Sequence, residues 1–335
     1  MTQLQNAFTL FLSLLVEAIP FLLLGVLLSS ALLLFIDEKK LLKIIPKNPL
    51  LGAIMGSCIG FLFPVCECGN VPVARRFLIQ GLPTSVALGF LLAAPTINPI
   101  VIWSTWTAFR DQPEIVVFRV IFSLVIAILI SWIFSIQSDP LPLLQTSLAN
   151  RLKSSRLQAN FANTPALLQS GTFILGQPGS PLRLDESLAT ATLSPPSSLP
   201  ASNRWKGFLD NMVSELRELG AMLVFGSLVA ASLQTFVPRE IILNLGQDPL
   251  TSIVAMMILA VVVSICSTVD SFFALSFAST FTSSSLLAFL VLGPMIDLKA
   301  IGLMITIFKP RMLIYIFALA AQFTFLFTLI HSYFF

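Results

Sequence analysis

Two short polar segments interrupt long apolar runs in this chain, and both contain cysteine. Residues 64–70 read Pro-Val-Cys-Glu-Cys-Gly-Asn, and residues 264–270 read Ser-Ile-Cys-Ser-Thr-Val-Asp. Cysteine thiolates are preferred ligands of soft metals and metalloids, and an embedded carboxyl group marks an ion or proton pathway. The residues that could do this chemistry are Cys66, Glu67, Cys68, Asn70, Cys266 and Asp270.

The two segments are related by an internal repeat of about 200 residues. That offset aligns Cys66 with Cys266, and Asn48-Pro49-Leu50 with Asp248-Pro249-Leu250. Offsets one residue shorter or longer, as small loop insertions would produce, align Pro95 with Pro294, Asn98 with Asp297, Glu17 with Glu218, and Gly25 with Gly226. A duplicated membrane protein whose halves bring polar groups to the membrane interior has the pattern of a transporter.

The composition places these segments in a membrane. Hydrophobic residues make up 56% of the chain and charged residues 10%, outside the range of soluble domains. Residues 7–36 carry one charge, Glu17, and residues 249–296 carry only Asp270. Since about 20 apolar residues cross the hydrocarbon core as a helix, we predict an all-α polytopic membrane protein with about eight to ten transmembrane helices.

The topology is predicted from the basic residues. Four lysines lie between residues 39 and 47, which makes that loop cytoplasmic by the positive-inside rule, and residues 137–206 also carry more positive than negative charges. An odd number of crossings before residue 137 relates the halves by inversion. If residues 97–110 are re-entrant instead, the repeat becomes parallel. The predicted spans are 7–36, 50–66, 71–93, 97–110 and 114–136, then 210–237, 249–266, 271–292, 296–308 and 311–334.

The chain divides into three parts. We predict a transmembrane repeat over residues 1–136, a linker over 137–206 and a second transmembrane repeat over 207–335. The linker is rich in Ser and Pro, which favours a flexible cytoplasmic tether, with a docking site for a soluble partner as the alternative. The first helix is expected to serve as an uncleaved insertion signal, because no basic region precedes it.

The polar segments are expected at breaks in helices. Pro64, Gly69 and Pro72 predict interruptions around the first cysteine pair, and broken helices survive at membrane depth where they line a cavity. Two further motifs are expected to interrupt helices in the same way, with an amide or a carboxyl group after the proline. They are Ala94-Pro95-Thr96-Ile97-Asn98-Pro99 and Gly293-Pro294-Met295-Ile296-Asp297.

Other polar residues have simpler interpretations. We interpret Cys58 as a packing residue, and Glu17 as either an ion-pair partner of Arg75 or Arg76 or a functional group. Asp297 and Lys299 either pair near an interface or contribute to the site. With one histidine, His331, we predict no multi-histidine metal centre and no serine–histidine pair for hydrolysis. No enzyme activity and no cofactor are therefore predicted, and the net charge of +3 gives no basis for nucleic-acid binding.

These motifs resemble the bacterial predicted-permease family, in which organoarsenical efflux permeases are placed. The resemblance is carried by Pro64 to Arg76, Gly81-Leu82-Pro83, residues 91–99, and Cys266-Ser267 with Asp270 and Phe272. It implies an integral permease of the cytoplasmic membrane. In that family the thiol motif often reads Cys-Ser-Cys-Gly, where this chain has Glu67.

The expected mechanism is secondary transport by alternating access, exporting a small solute such as a trivalent organoarsenical. Soft ligands would be Cys66, Cys68 and Cys266; Glu67, Asp270 and Glu17 would couple protons; and Asn70, Asn98 and Asp297 would complete substrate binding. The alternatives are a membrane thiol–disulfide redox protein and a non-catalytic subunit of a larger permease complex. A homo-oligomer or a partner membrane subunit is consistent with either.

Overall fold

The computed structural model describes residues 3–35, 48–63, 66–136, 144–146, 148, 173–174, 182–183, 201–236, 249–278 and 280–334. The lysine cluster at 39–47, the Pro64-Val65 pair and most of the 137–206 segment lie outside these residues. Their predicted roles stay predictions.

Twelve helices account for almost all of the described residues. The first half contains α1 (Gln3–Phe35), α2 (Pro49–Leu62), α3 (Glu67–Ile79), α4 (Thr84–Ile97), α5 (Pro99–Ala108) and α6 (Pro113–Ser135). The second half contains α7 (Ala201–Phe236), α8 (Pro249–Val263), α9 (Asp270–Leu275), α10 (Ser283–Met295), α11 (Leu298–Met304) and α12 (Pro310–Phe334). Between the halves, β1 (Phe173–Ile174) pairs antiparallel with β2 (Leu182–Arg183).

The predicted fold class is confirmed, because five helical segments are long and apolar enough to cross a membrane. They are Ala7–Ala31, Thr84–Ala108, Pro113–Ser135, Ser283–Met304 and Pro310–Phe334. Their outward side chains are large and apolar, as lipid requires. The chain is therefore an all-α polytopic membrane protein.

The first and last helices of the two halves show how the repeats are related. Helices α1 and α7 are equivalent, and they pack side by side in opposite directions. Ser29, late in α1, donates a hydrogen bond of 3.0 Å to Glu215 near the middle of α7. Leu14, early in α1, packs with Ala230 and Ala231 near the end of α7.

The equivalent helices α6 and α12 behave in the same way. The rings of Phe118 and His331 lie 4.6 Å apart, and those of Phe122 and Phe327 lie 5.6 Å apart, so the sequence numbers run in opposite directions along the contact. A parallel repeat would run equivalent helices in the same direction. The two halves are therefore inverted repeats, related by an axis in the membrane plane.

Within each half, the helix before the polar segment enters the protein and the chain then turns back. A Cβ atom on Gly52 would lie 3.0 Å from Ser85 Oγ, and one on Gly60 would lie 2.8 Å from Ala94 N. Helices α2 and α4 therefore run in the same direction, so α3 between them runs back. The α2–α3 pair is a hairpin that enters and leaves from one side.

This hairpin corrects two expectations. The predicted span 71–93 is wrong, because α3 ends at Ile79, Gly81 turns the chain with a φ of 82°, and α4 starts anew at Thr84. The predicted interruptions at Gly69 and Pro72 are also wrong, because α3 is continuous through both. The packing of α3 inside the protein offsets the loss of the one backbone hydrogen bond that Pro72 removes.

The segment 97–110 does not cross by itself. Helix α5 has 10 residues, about 15 Å at 1.5 Å per residue, and it continues the path of α4 beyond a break at Asn98. The second half repeats this with α10 and α11, broken at Ile296 and Asp297. Each half thus has α1 or α7, a hairpin, a broken span and a final span.

Candidate functional site

Cys66 lies at the tip of the α2–α3 hairpin, near the middle of the membrane-embedded region. Helix α2 ends at Leu62, and Cys66 is the N-cap of α3 in extended conformation. The nearby contact of Gly60 with Ala94 fixes its depth. Ala94 is the eleventh of the 25 residues in Thr84–Ala108, about 15 Å from the Thr84 end and so about half of a 30 Å core.

The Cys266 segment has the same local geometry in the second half. The backbone N–H groups of Gly69 and Asn70 donate to the Cys66 carbonyl at 3.0 and 3.2 Å. Those of Val269 and Asp270 donate to the Cys266 carbonyl at 2.9 and 3.0 Å. The structure therefore makes Asn70 and Asp270 equivalent, four residues after each cysteine.

The two tips meet and form one cluster of ligand atoms. The Sγ atoms of Cys66 and Cys266 and a carboxylate oxygen of Glu67 all lie within 4.8 Å of one another. All three side chains are buried, and the Cys68 thiol interacts with that of Cys66. The described cysteines are free thiols. Two thiols and a carboxylate in a triangle, supplied by both repeats, fit a thiophilic cargo.

Helix α11 adds two charged groups to this cluster. Lys299 Nζ lies 4.0 Å from Glu67 Oε1 and 4.0 Å from Asp297 Oδ2. The exposed fraction of the Lys299 side chain is 1%. Helix α11 reaches this position because Gly226 lets it approach α7: a Cβ atom there would lie 3.3 Å from Lys299 Cα.

Several polar atoms of the cluster have no hydrogen-bond partner among the described residues. They include Glu67 Oε2 and Asp297 Oδ2 and, one turn along α3 from Cys66, both amide atoms of the fully buried Asn70. An unmade hydrogen bond in a buried polar group costs about 1–3 kcal/mol. Groups that carry this cost at one place are candidates for binding a ligand.

Asp270 is hydrogen-bonded to other side chains, whereas the amide of its equivalent, Asn70, has no partner among the described residues. Arg119 Nη2 donates to Asp270 Oδ2 at 2.6 Å, and Arg119 Nη1 donates to Asp270 Oδ1 at 3.1 Å. Arg119 Nη1 also donates to the hydroxyl oxygens of Thr105 and Ser271, each at 2.8 Å. This buried, bidentate pair joins α5 and α6 of the first half to α9 of the second.

A second ion pair joins the halves on the other side of the cluster. Arg75, in α3, donates to Glu218 Oε2 in α7 at 2.9 Å. Glu17, which the sequence suggested as an ion-pair partner of Arg75 or Arg76, is the repeat equivalent of Glu218. Glu17 is half-buried, and its charge acts on Cys266 and Lys299.

Asn98 and Asp297 are equivalent helix caps. The Asn98 side chain accepts a hydrogen bond from Val101 N at 2.8 Å and donates to Ala94 O at 3.1 Å. Asp297 Oδ1 accepts from Ala300 N. Both side chains therefore start the short helices that follow the breaks, whereas Pro95 and Pro294 lie inside the preceding helices. Asp297 keeps its second oxygen for the cluster.

Arg119 was not among the site residues predicted from the sequence, and Lys299 was expected either to pair with Asp297 near an interface or to contribute to the site. Arg119 lies in an apolar span with Glu114 as its one charged neighbour in α6. A single arginine in such a span carries the same signal that singled out Asp270. The contact between Lys299 and Glu67 depends on tertiary packing, and no spacing in the sequence indicates it.

The fold and the cluster define a class: a polytopic membrane protein of two inverted repeats, with a buried polar site where the broken segments meet. A family model described as "Predicted permease" matches residues 3–333. The chain belongs to this predicted-permease family, as the motifs indicated.

Two curated relatives are similar over most of their length. The UPF0718 protein YcgR of Bacillus subtilis (strain 168) is 35% identical over 303 residues, covering 90% of this chain and 89% of the relative. A protein of Streptococcus mutans serotype c, named as a subunit of a two-component membrane permease complex, is 32% identical over 305 residues, covering 91% and 88%. No solved structure matches the chain.

Proposed function

We propose that this permease is a secondary transporter that moves a small thiophilic solute across the cytoplasmic membrane by alternating access, in the direction of export. Trivalent organoarsenicals and soft metal ions are the members of this class that the thiols favour. The observation that supports it most is the buried triangle of Cys66, Glu67 and Cys266.

The origin of the three ligands matters for the mechanism. Cys66 and Glu67 come from the first repeat and Cys266 from the second. A rocking motion of one repeat against the other changes the distance between these ligands. Alternating access between inverted repeats requires a binding site that is complete in the closed state and that opens when one repeat rocks against the other.

The two ion pairs between the repeats are placed as gates. Arg75 lies eight residues after Glu67 along α3, toward the Thr84 end of the α4 span. Arg119 lies six residues after Pro113, toward the opposite end. The Thr84 end is the cytoplasmic side if the lysines at 39–47 are cytoplasmic. Arg75–Glu218 then closes the site from the cytoplasm, and Arg119–Asp270 closes it from outside.

The carboxylates give the transporter a means of coupling. Glu67 belongs to the ligand triangle, so proton and cargo compete for it. This competition is the simplest coupling of export to proton entry. Glu17 and Asp270 are the further candidates.

A partner membrane subunit belongs to the proposal as well. The Streptococcus mutans relative is named as a subunit of a two-component complex, and large apolar side chains such as Trp103 and Phe225 are exposed on the lipid-facing surface. Co-purification with a tagged chain from the native membrane tests this part. Recovery of the chain alone, at full activity, argues against it.

Transport in everted membrane vesicles tests the central proposal. Vesicles carrying the protein receive an imposed proton gradient and a panel of trivalent arsenicals, antimonite and soft metal ions. Gradient-driven accumulation of a panel member, lost in Cys66→Ser/Cys266→Ser, supports a thiol-liganding exporter.

The matched control is Cys58→Ser. Cys58 is exposed on α2 outside the cluster, so this variant removes a thiol and leaves the site intact. Equal loss of transport in the control and in the double variant contradicts a ligand role for Cys66 and Cys266.

A further inference from the structure

Lys299 occupies an unusual place in the cluster. Its ammonium lies midway between carboxylates from the two repeats, 4.0 Å from Glu67 Oε1 and 4.0 Å from Asp297 Oδ2. Both distances are longer than a hydrogen bond of the usual length. The ammonium therefore acts on both carboxylates through its charge and is committed to neither.

The charges around the cluster do not balance. Glu67, Asp297 and Glu17 all act electrostatically on Lys299. Arg119 and Arg75, which join the repeats on either side, pair with Asp270 and Glu218 respectively. Two buried carboxyl groups, those of Glu67 and Asp297, thus lie beside one described cation. An added cation stabilises the ionised form of both groups, whereas a neutral or anionic solute does not.

Three of the four unpartnered atoms named above are acceptor oxygens, and the fourth is the donor Asn70 Nδ2. Glu67 Oε2, Asp297 Oδ2 and Asn70 Oδ1 are buried acceptors with no hydrogen-bond partner among the described residues. Acceptor oxygens beside two thiols are coordinating groups. They complement a positive ion better than a solute that presents oxygens of its own.

We infer that the cargo of this site is a thiophilic metal cation, and that Lys299 is a tethered counter-cation that takes its place beside Glu67 when the site is empty. The inference rests on the proposed function and names its substrate class. On binding, the ion coordinates Cys66, Glu67 and Cys266. Each thiol that becomes a thiolate ligand releases one proton, and Lys299 stays with Asp297.

Lys299 is then a specificity-determining residue, because it competes with the cargo for Glu67. A cation must displace the ammonium from this carboxylate, so the lysine weakens binding and ensures release. A neutral trivalent arsenical binds through two thiols and does not compete with the lysine. The two substrate classes therefore respond differently to a change at position 299.

Binding to the purified protein in detergent tests the inference, with Cys58→Ser as the background. The probes are Cd²⁺, followed by its thiolate absorbance, and phenylarsine oxide as a neutral trivalent arsenical. Lys299→Gln is expected to tighten Cd²⁺ binding by about 100-fold, the scale of removing the repulsion between two unit charges at roughly 6 Å and an effective dielectric constant of about 20. Lys299→Arg is expected to bind like the parent.

A charge-conserving variant covers the case in which Lys299→Gln fails to fold. Lys299→Gln/Asp297→Asn removes the competing ammonium and one carboxylate together. We expect it to bind Cd²⁺ more tightly than the parent and phenylarsine oxide equally well. Unchanged or weaker Cd²⁺ binding in the folded variants overturns the inference.

The remaining outcomes separate the inference from the proposed function. If phenylarsine oxide binds through Cys66 and Cys266 and Cd²⁺ does not bind, the cation inference is wrong while a thiophilic cargo stands. If neither probe binds the parent protein, or if both bind equally to Cys66→Ser/Cys266→Ser, the proposed site itself is wrong.

Discussion

Arg119 and Asp270 form a fully buried bidentate ion pair that connects the two inverted repeats, with N···O distances of 2.6 and 3.1 Å. The exposed fractions of the two side chains are 1% and 4%. The hydroxyl oxygens of Thr105 and Ser271 accept hydrogen bonds from Nη1 of the same guanidinium group. The pair therefore fixes the N-terminal part of α6 against α9 and sets the distance between the halves on that side of the thiol cluster.

Removing one partner of this pair is expected to destabilise the protein strongly. Arg119→Met leaves the Asp270 carboxylate buried without its cation, and such losses cost about 3–5 kcal/mol. The double variant Arg119→Met/Asp270→Leu removes both charges and is expected to recover most of this loss. The midpoint of thermal unfolding in detergent measures both effects.

A matched single variant is Arg110→Met, because Arg110 is exposed in the turn before α6. It is expected to unfold close to the parent midpoint, within the range of ordinary surface substitutions. If Arg119→Met behaves like Arg110→Met, the buried pair contributes little to the contact between the repeats.

The proposal that the two ion pairs act as gates predicts which side of the membrane gives access to the thiols. Cys66, Cys68 and Cys266 are buried, so in a Cys58→Ser background they report which side is open. Asp270→Asn is expected to speed their reaction with a membrane-impermeant thiol reagent added outside intact cells. Glu218→Gln, which frees Arg75, is expected to speed the reaction in inside-out vesicles.

The control for thiol access is Trp103→Ala, a change at a side chain that is 71% exposed on the lipid-facing surface of α5. It is expected to leave both labelling rates unchanged. Equal acceleration from both sides by Asp270→Asn would mean general loosening of the protein, and the assignment of gates would fail.

Much of the fold could be predicted because its signals are local. Runs of about 20 apolar residues identify spans one by one, and the offset between Cys66 and Cys266 indicates the duplication. The hairpin was harder. It depends on close approaches such as Gly60 against Ala94, and a turn at Gly81 within an apolar run carries little weight in a hydropathy argument.

The candidate site could be predicted in part for the same reason. Cys66, Glu67 and Cys266 stand out because polar groups are costly at membrane depth, and the structure brings them together. Asn98 stands out equally, yet its side chain caps α5. The sequence shows that such a residue has a partner, but the partner is chosen by tertiary packing, as with Lys299 and Arg119.

Cross-linking between the halves is expected at the thiol cluster. The Sγ atoms of Cys66 and Cys266 lie within 4.8 Å of each other. A short bifunctional thiol reagent should therefore join the two halves after proteolytic cleavage at a site introduced between residues 184 and 200. With Cys58→Ser and Cys68→Ser in the background, the halves should migrate as one band on a denaturing gel.

The same preparation lacking Cys266 serves as the control for cross-linking, since it retains Cys66 and the cleavage site. It is expected to give two bands. Two bands in the preparation with both cysteines would show that the tips do not meet in the membrane, and the cluster would have to be abandoned as a shared site.

The last prediction concerns the glycine that lets α1 reach the hairpin. A Cβ atom on Gly25 would lie 2.6 Å from Gly69 Cα, which is backbone and cannot move aside as a side chain can. Gly25→Ala therefore forces α1 and α3 apart next to Cys68, and overpacking of this kind costs about 1–3 kcal/mol. Gly220→Ala in α7 is the matched change, because no atom lies within 4 Å of the added carbon. Alanine is a better helix former than glycine by about 1 kcal/mol, so Gly220→Ala should unfold at or above the parent midpoint while Gly25→Ala unfolds below it.

Gly25→Ala should also weaken Cd²⁺ binding, because α3 carries Glu67 at its first turn. A Gly25→Ala protein with parental stability and parental Cd²⁺ binding would show that α1 does not set the position of the hairpin tip.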